Sequence, residues 1–175
     1  PNTDTEDQSA LNGNQISKLK LPILLATGTG GDKKISISWR TYEGADGYDC
    51  YWSYCNGKQN YTKFATAKAG KNRVTSRHLD NNRRYKYFVA AYKLVDGKKV
   101  YIAKSNPLHV ALKDAKTTNA KAVTVNQTTV TLKAGQTFVI KSRTRLENTK
   151  KKELLHVAAY RYYTSDQSVA SVSKN

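Results

Sequence analysis

The sequence predicts an all-β protein made of two consecutive small sandwiches, the second of them incomplete. Its apolar residues, mostly Val, Ile, Leu and Tyr, alternate with polar ones in short runs, as expected of strands that bury one face. Turn-forming residues separate these runs at intervals of about 8 to 12 residues, which is typical of sandwiches. The length of 175 residues also suits two small domains.

Residues 1–16 are predicted to be a polar, acidic linker. They are nearly free of large apolar side chains, so ordering them would bury too little surface to offset the lost entropy. A complete sandwich is expected over residues 17–112. Its first strand should present one apolar face, formed by Leu19, Leu21, Ile23 and Leu25. Pro22 in that run favours a sheet edge.

The glycine-rich stretch at residues 28–32 is interpreted as a turn. It lacks the Gly-Lys-Ser/Thr ending and the following helix of a phosphate-binding loop. Six further strands are expected after it, at residues 35–39, 48–52, 61–65, 74–79, 85–91 and 100–111. Asn56-Gly57 and Asp96-Gly97 predict hairpin turns, because these residue types tolerate positive φ.

Residues 18–112 resemble a fibronectin type III domain. The resemblance rests on Trp39 in the second strand, on Gly-Tyr-Asp-Cys-Tyr at 47–51, and on Leu79 followed six residues later by Tyr85. It implies that Trp39 is buried and that the Tyr85 hydroxyl caps a backbone turn, so that both residues are structural. The motifs Gly-Ala-Asp-Gly-Tyr and Asp-Gly-Lys-Lys-Val-Tyr are similar to those of modules in surface proteins of Gram-positive gut bacteria. This resemblance implies an extracellular or cell-surface location.

A polar connector over residues 113–120 should lead into the second domain, residues 121–175. Thr-Val-Thr-Leu-Lys-Ala-Gly-Gln-Thr at 129–137 and the Ser-rich stretch before Val-Ala-Ser-Val at 169–172 resemble a group 2 bacterial Ig-like domain. The closing strands of that family are missing, so the domain is expected to be truncated or completed by something outside this chain. Because the sequence starts at Pro1 and contains no Met, we expect an interior fragment.

The formal net charge of +17 raises the question of an anionic partner. Lys and Arg are spread over both halves of the chain, which favours a solvated, edge-protected surface over an anionic host surface and over specific nucleic-acid binding. No apolar run approaches the roughly 20 residues that span a bilayer, so membrane insertion is not expected.

Cys50 and Cys55 are too few for a disulfide framework. The strand pattern turns Cys50 inward and places Cys55 where a turn begins, so we expect a buried thiol and a turn thiol, with a local bridge as the alternative. A single Cys-x4-Cys pair is not a zinc spacing.

The sequence carries no recognisable catalytic pattern, and we expect neither an enzyme nor a cofactor or metal site. The three histidines lie in different segments, at His78, His109 and His156. A calcium site would need a ladder of oxygen ligands, which the scattered acids do not supply; these are Asp46, Asp49 and Asp80.

Tyrosine is abundant, with 12 residues, and part of it is predicted to form an outward face. If the strands at 48–52 and 85–91 are neighbours, one candidate binding face contains Tyr51, Arg84, Lys86, Phe88 and Tyr92. Aromatic groups rimmed by basic ones are enriched in protein interfaces. The alternative is that these side chains merely pair across strands and stabilise the sheet.

Three functions compete for such a chain. We expect a non-catalytic module that binds a host extracellular protein, a glycoprotein or an immunoglobulin, or that mediates adhesion. A structural spacer or stalk is the first alternative, and fold resemblance does not distinguish the two. The second is a carbohydrate-binding accessory domain of a secreted enzyme, with a glycan as partner.

Overall fold

The computed structural model describes residues 7–154, 160 and 162–173. These residues form a short helix and twelve strands: α1 Gly13–Lys18, β1 Ala26–Gly31, β2 Lys34–Trp39, β3 Gly47–Tyr54, β4 Thr62–Lys68, β5 Arg73–Arg77, β6 Tyr85–Val95, β7 Lys98–Lys104, β8 Leu108–Val110, β9 Thr117–Thr118, β10 Ala120–Val125, β11 Ser142–Leu146 and β12 Lys152–Glu153. The all-β prediction is confirmed. The described part contains no helix of the length and apolarity needed to cross a membrane.

Two antiparallel sheets form the first sandwich. One has the order β1-β2-β5, and the other has the order β4-β3-β6-β7, with β8 also paired to β6. Their inward faces share one apolar core, to which the central strands contribute Ile35, Ile37, Trp39, Tyr48, Cys50, Tyr87, Val89 and Ala91. The period-two alternation of β2 therefore produces the burial that the sequence predicts.

The hairpin between β6 and β7 follows from its two turn residues. Asp96 has φ 52° and Gly97 has φ 77°. Positive φ at both central positions is the mark of a type I′ turn, whose twist matches that of the flanking strands. This turn sets the register in which Val95 pairs with Lys98.

The prediction for the first strand is wrong. Leu19–Leu25 contributes a single isolated bridge, between Ile23 and Lys104, and β1 instead covers the glycines expected to form a turn. A Cβ at Gly28 would collide with Val110, and one at Gly30 would collide with the Ala111 carbonyl. Glycine at both positions lets β1 lie against the chain that leaves β8, so close packing rather than turning explains the residue type.

The part of the chain after residue 119 forms a second unit of short strands. β10 and β11 form a two-stranded antiparallel sheet, while β12 pairs in parallel with β9. Apolar side chains of this unit stay exposed, and Val139 is 63% accessible. Within the described residues, the stretch 162–173 adds no strand. His156 lies outside the described residues.

The two residues expected to be structural are both buried. Trp39 packs against Tyr48 with ring centroids 5.2 Å apart. The Tyr85 hydroxyl accepts a hydrogen bond from the Asp80 backbone N–H at 2.9 Å and lies 3.4 Å from the Asp80 carbonyl. Tyr85 therefore fixes the turn that leads into β6.

Tyr85→Phe should lower the free energy of unfolding by about 1 kcal/mol, because the Asp80 N–H loses its acceptor while the ring remains. Urea unfolding measures this loss. Tyr54→Phe is the matched control, since the Tyr54 ring lies 5.6 Å from that of Tyr85 but the residue is 41% exposed. Equal effects of the two substitutions would contradict the role assigned to the Tyr85 hydroxyl.

Candidate functional site

Strands β3 and β6 bring the predicted aromatic group together. Their antiparallel register places Tyr51 opposite Phe88 and Gly47 opposite Tyr92. The Tyr51 and Phe88 rings stack at 4.7 Å with an interplanar angle of 11°. Lys86 lies two residues before Phe88 on the same face of β6, and Arg84 directly precedes the strand.

This group is not an exposed recognition face, and that part of the prediction is wrong. Phe88 is 2% exposed and Tyr92 is 8% exposed, and Tyr51 and Lys86 are buried as well. The group belongs to a second apolar cluster on the outer side of the sheet, whose other buried members are Ile16, Tyr61, Ala90 and Tyr101. Arg84 alone among the five predicted residues is solvent-exposed.

The cover over this cluster is the N-terminal segment. Ile16 of α1 is fully buried on the cluster, and Leu11, Leu19 and Leu21 pack around it. The prediction of a linker over residues 1–16 is therefore wrong from residue 7 onward. The low number of apolar residues in this segment led to the linker prediction. One Ile and three Leu at the right positions are nevertheless enough to exclude water from the cluster.

A capping box starts α1. The Asn12 side chain accepts hydrogen bonds from the N–H groups of Asn14 and Gln15, both at 3.0 Å, and the Gln15 side chain accepts from the Asn12 N–H at 2.9 Å. Asn followed three residues later by Gln and then by Ile is a sequence signature of such a start. This signal would have located the helix.

Polar side chains of the same segment bond the sheet backbone. The Gln8 side chain accepts from the Tyr101 N–H at 2.9 Å, and the Ser9 hydroxyl accepts from the Lys99 N–H at 2.9 Å. The Asn14 side chain accepts from the Tyr61 N–H at 2.8 Å. The segment thus satisfies donors along the outer edge of β7 and at the entry to β4.

A buried ionic network lies under the cover, and the sequence analysis missed it. Asp49 of β3 is 0% exposed. Its carboxylate accepts hydrogen bonds from the Lys99 ammonium at 2.7 Å, the Tyr101 hydroxyl at 2.8 Å and the Thr66 hydroxyl at 2.6 Å. Tyr101 also contacts the Tyr51 hydroxyl at 3.1 Å. The Lys99 ammonium lies 4.0 Å from the centroid of the Tyr92 ring, a cation–π geometry.

The network holds Asp49 in its ionised form. Burial by itself raises the pKa of this carboxyl, but the hydrogen bonds from Lys99, Thr66 and Tyr101 outweigh it and leave the pKa of Asp49 below its ordinary value. Burial also raises the pKa of Tyr51 to about 12, so its hydroxyl stays neutral. Asp49, Lys99 and the tyrosine hydroxyls therefore form an ion pair with supporting hydrogen bonds that links neighbouring strands of the sheet.

The two basic residues of the predicted face, Lys86 and Arg84, lie in different environments. The Lys86 ammonium donates to the Lys58 carbonyl at 2.8 Å and lies 5.3 Å from the centroid of the Tyr61 ring. Arg84 instead lines an open cavity of about 310 Å³, together with Arg83 and Lys116. This volume is at the small end of the range for ligand pockets. The cavity is a basic concave surface beside Arg84, the predicted residue that remains exposed.

The three aspartates weighed for calcium are not brought together. Asp46 accepts from the Leu94 N–H at 2.7 Å, and Asp80 accepts from the Asn82 N–H at 2.8 Å, while Asp49 is engaged as described. Within residues 7–154, 160 and 162–173, no group of three or more His, Cys, Asp and Glu side chains is arranged to hold a metal ion.

Comparisons with known proteins give structural likeness alone. No family model and no curated protein matches the chain. Among solved structures, a β-1,2-glucanase from Parabacteroides distasonis is 21% identical, with a TM-score of 0.44, over 55% of this chain and 13% of that one. An Fn3-like protein from Clostridium thermocellum is 18% identical, with a TM-score of 0.43, over 54% and 97%. A pectate lyase from Pectobacterium carotovorum is 20% identical, with a TM-score of 0.41, over 55% and 30%.

The first domain has a fibronectin type III-like fold. Its own strand order decides this, because a three-stranded sheet packs against a five-stranded one and the Tyr85 hydroxyl at the start of β6 bonds the preceding turn. The aligned share of the chain is about half in each comparison, and the two enzymes are much longer than the aligned part.

Ile16→Ala should lower the free energy of unfolding by about 2 to 4 kcal/mol, since it removes a fully buried side chain from the cluster. Amide hydrogen exchange at Tyr61 and Tyr101 should accelerate, because their N–H groups bond the same segment. Chemical unfolding and exchange detected by NMR measure the two effects. Leu25→Ala, at a site 47% exposed, is the control. If both variants behave alike, the segment does not cover the sheet.

Asp49→Asn should lower the free energy of unfolding at pH 7 by about 2 to 3 kcal/mol. This loss is smaller than the one expected from breaking a fully buried ion pair, because Lys99 is partly exposed. The folded pKa of Asp49 is depressed, so its stabilising effect is present above the ordinary value of 3.8 and is lost as pH falls through the folded pKa. The difference between wild type and variant should therefore shrink below about pH 4. Urea unfolding across pH measures it, with the exposed Asp32→Asn as control. A constant difference across pH would contradict the assignment.

Proposed function

We propose that this chain is a non-catalytic structural module of a secreted or cell-surface bacterial protein, in which the first sandwich holds the second, incomplete Ig-like unit in a fixed orientation. The observation that carries the proposal is the junction between the two units. Its contacts are buried and hydrogen-bonded, whereas a flexible linker would be solvated. The burial of the aromatic group expected to bind a partner supports the same conclusion.

Asn119 is the centre of the junction. Its side chain accepts from the Ala111 N–H at 2.6 Å and donates to the Ala111 carbonyl at 2.8 Å. It also donates to the Glu147 carboxylate at 3.2 Å. One buried amide therefore ties the last strand of the first sandwich to the turn after β11.

The chain after β11 returns to the first sandwich. Leu154 is 2% exposed and belongs to the core between the two sheets. The Lys151 ammonium donates to the Ala115 carbonyl at 2.8 Å and to the Lys113 carbonyl at 3.2 Å. The predicted connector, residues 113–120, is thus bonded along its length, and β9 within it pairs with β12.

Binding of an anionic host protein or glycan is the second candidate function. The net charge of +17 and the cavity lined by Arg83, Arg84 and Lys116 favour it. Guanidinium groups bind carboxylate and sulfate oxygens in a bidentate manner, and a cavity lowers the water competition that an open surface has. This candidate keeps Arg84 from the predicted face but relocates the site to the cavity.

Asn119→Ala should separate the orientations of the two units, because the buried Ala111 N–H and C=O then lose their partners at a cost of about 1 to 3 kcal/mol. Residual dipolar couplings measure this. In the wild type, amides of residues 26–112 and 120–146 should fit one alignment tensor, and in the variant they should need two. Asn82→Ala, at an exposed turn, should behave as wild type. Two tensors in the wild type would contradict the proposal.

Capture of host serum and mucosal proteins by the immobilised chain decides between the two functions. The structural role predicts that no single partner survives high salt, which screens exposed charges over a few ångströms. A partner that persists and is lost in Arg84→Glu but not in Arg73→Glu, an exposed residue of β5, would establish the binding role instead. Turnover of peptide, ester or glycoside substrates by the pure chain would contradict the non-catalytic part of the proposal.

A further inference from the structure

Two residues that the sequence places far apart meet at one end of the outer sheet face. Cys55 directly follows β3, and its backbone N–H donates to the Arg84 carbonyl at 2.8 Å. His109 is the middle residue of β8 and pairs with Lys86 of β6. The Cys55 Sγ lies 3.2 Å from the His109 Nδ1. The thiol and the imidazole therefore form a hydrogen-bonded pair across β6.

This pair has the geometry that activates a thiol. The nucleophile is the thiolate, and a thiol with an ordinary pKa is only a few per cent ionised at pH 7. An imidazole nitrogen within hydrogen-bond distance can take the proton and then, as imidazolium, donate to the sulfur.

The other cysteine lies in the opposite environment. Cys50 is 0% exposed and points into the core of the first sandwich. Burial, with the nearby charge of Asp49 adding to it, raises the pKa of the Cys50 thiol to about 12. Cys55 lies five positions after Cys50, and at an odd spacing alternating side chains point to opposite sides of the sheet, which explains why the local bridge that the sequence left open does not form.

We propose that Cys55 is a reactive thiol, activated by His109, that forms mixed disulfides with low-molecular-weight disulfides. The Cys55 proton passes to His109 Nδ1, and the thiolate attacks one sulfur of the disulfide. A new S–S bond forms, the original S–S bond breaks, and the departing thiolate keeps the electron pair. Cys55 is partly exposed, as this attack requires. The proposal does not depend on the function proposed above.

The test uses the full chain with oxidised glutathione and with an aromatic disulfide reagent at pH 7. One glutathionyl group should add, and peptide mapping should place it on Cys55. His109→Asn keeps a hydrogen-bonding group near the Nδ1 position but cannot accept the proton. It should slow the reaction about five- to tenfold, since the loss of thiolate is partly offset by the higher nucleophilicity of a more basic thiol.

The pH profile separates activation from a structural effect. The rate ratio between wild type and His109→Asn should fall towards one as the pH rises to about 9 or above, where an unassisted thiol also ionises. Cys50→Ala should react as wild type, and unchanged urea midpoints should show that each variant is folded. Equal rates for wild type and His109→Asn at pH 7, labelling of Cys50 before Cys55, or no adduct in a chain whose denatured form reacts would each overturn the proposal.

Discussion

The burial of β6 on both faces is the constraint on which the first domain depends. Its inward face contributes Tyr87 and Val89 to the core between the sheets, and its outward face contributes Phe88 and Ala90 to the second cluster. A strand that is apolar on both faces needs a covering layer on each side, because an apolar face exposed to water does not contribute the free energy gained by burial. One cover is the sheet β1-β2-β5, and the other is the N-terminal segment.

The second cover determines the electrostatics beneath it. Asp49 is paired with Ala90 on the side of the sheet that the N-terminal segment covers, and it is 0% exposed. An isolated carboxylate there would be costly, and a positive partner with hydrogen bonds is required. Lys99 and Tyr101 on β7 supply them, and the backbone N–H groups of these same two residues are bonded by Ser9 and Gln8. Cover and network therefore support each other.

Much of the strand pattern could be predicted from the alternation of apolar and polar residues. The same alternation did not predict whether the outward face of the sheet is exposed or covered. Period two correctly grouped Tyr51 with Phe88, since that follows from local geometry. It did not say that the group is covered, because the cover comes from a helix of six residues whose apolar content is low. The nearly continuous apolar run from Tyr87 to Tyr92 was the available signal for burial on both faces. Contacts between distant residues, such as that of Cys55 with His109, leave no such local trace.

The open edges of the chain limit how it can contact other proteins. The outer edge of β7 accepts hydrogen bonds from and donates them to Gln8 and Ser9, so strand addition at this edge would first have to displace the N-terminal segment. Among the described residues, exposed large apolar residues are more numerous in the second unit than in the first domain, and Val123 and Val139 are two of them. The first sandwich is therefore blocked at β7 and joined through Asn119 to a unit of short strands, so strand addition at this edge is opposed by contacts that the chain itself already makes.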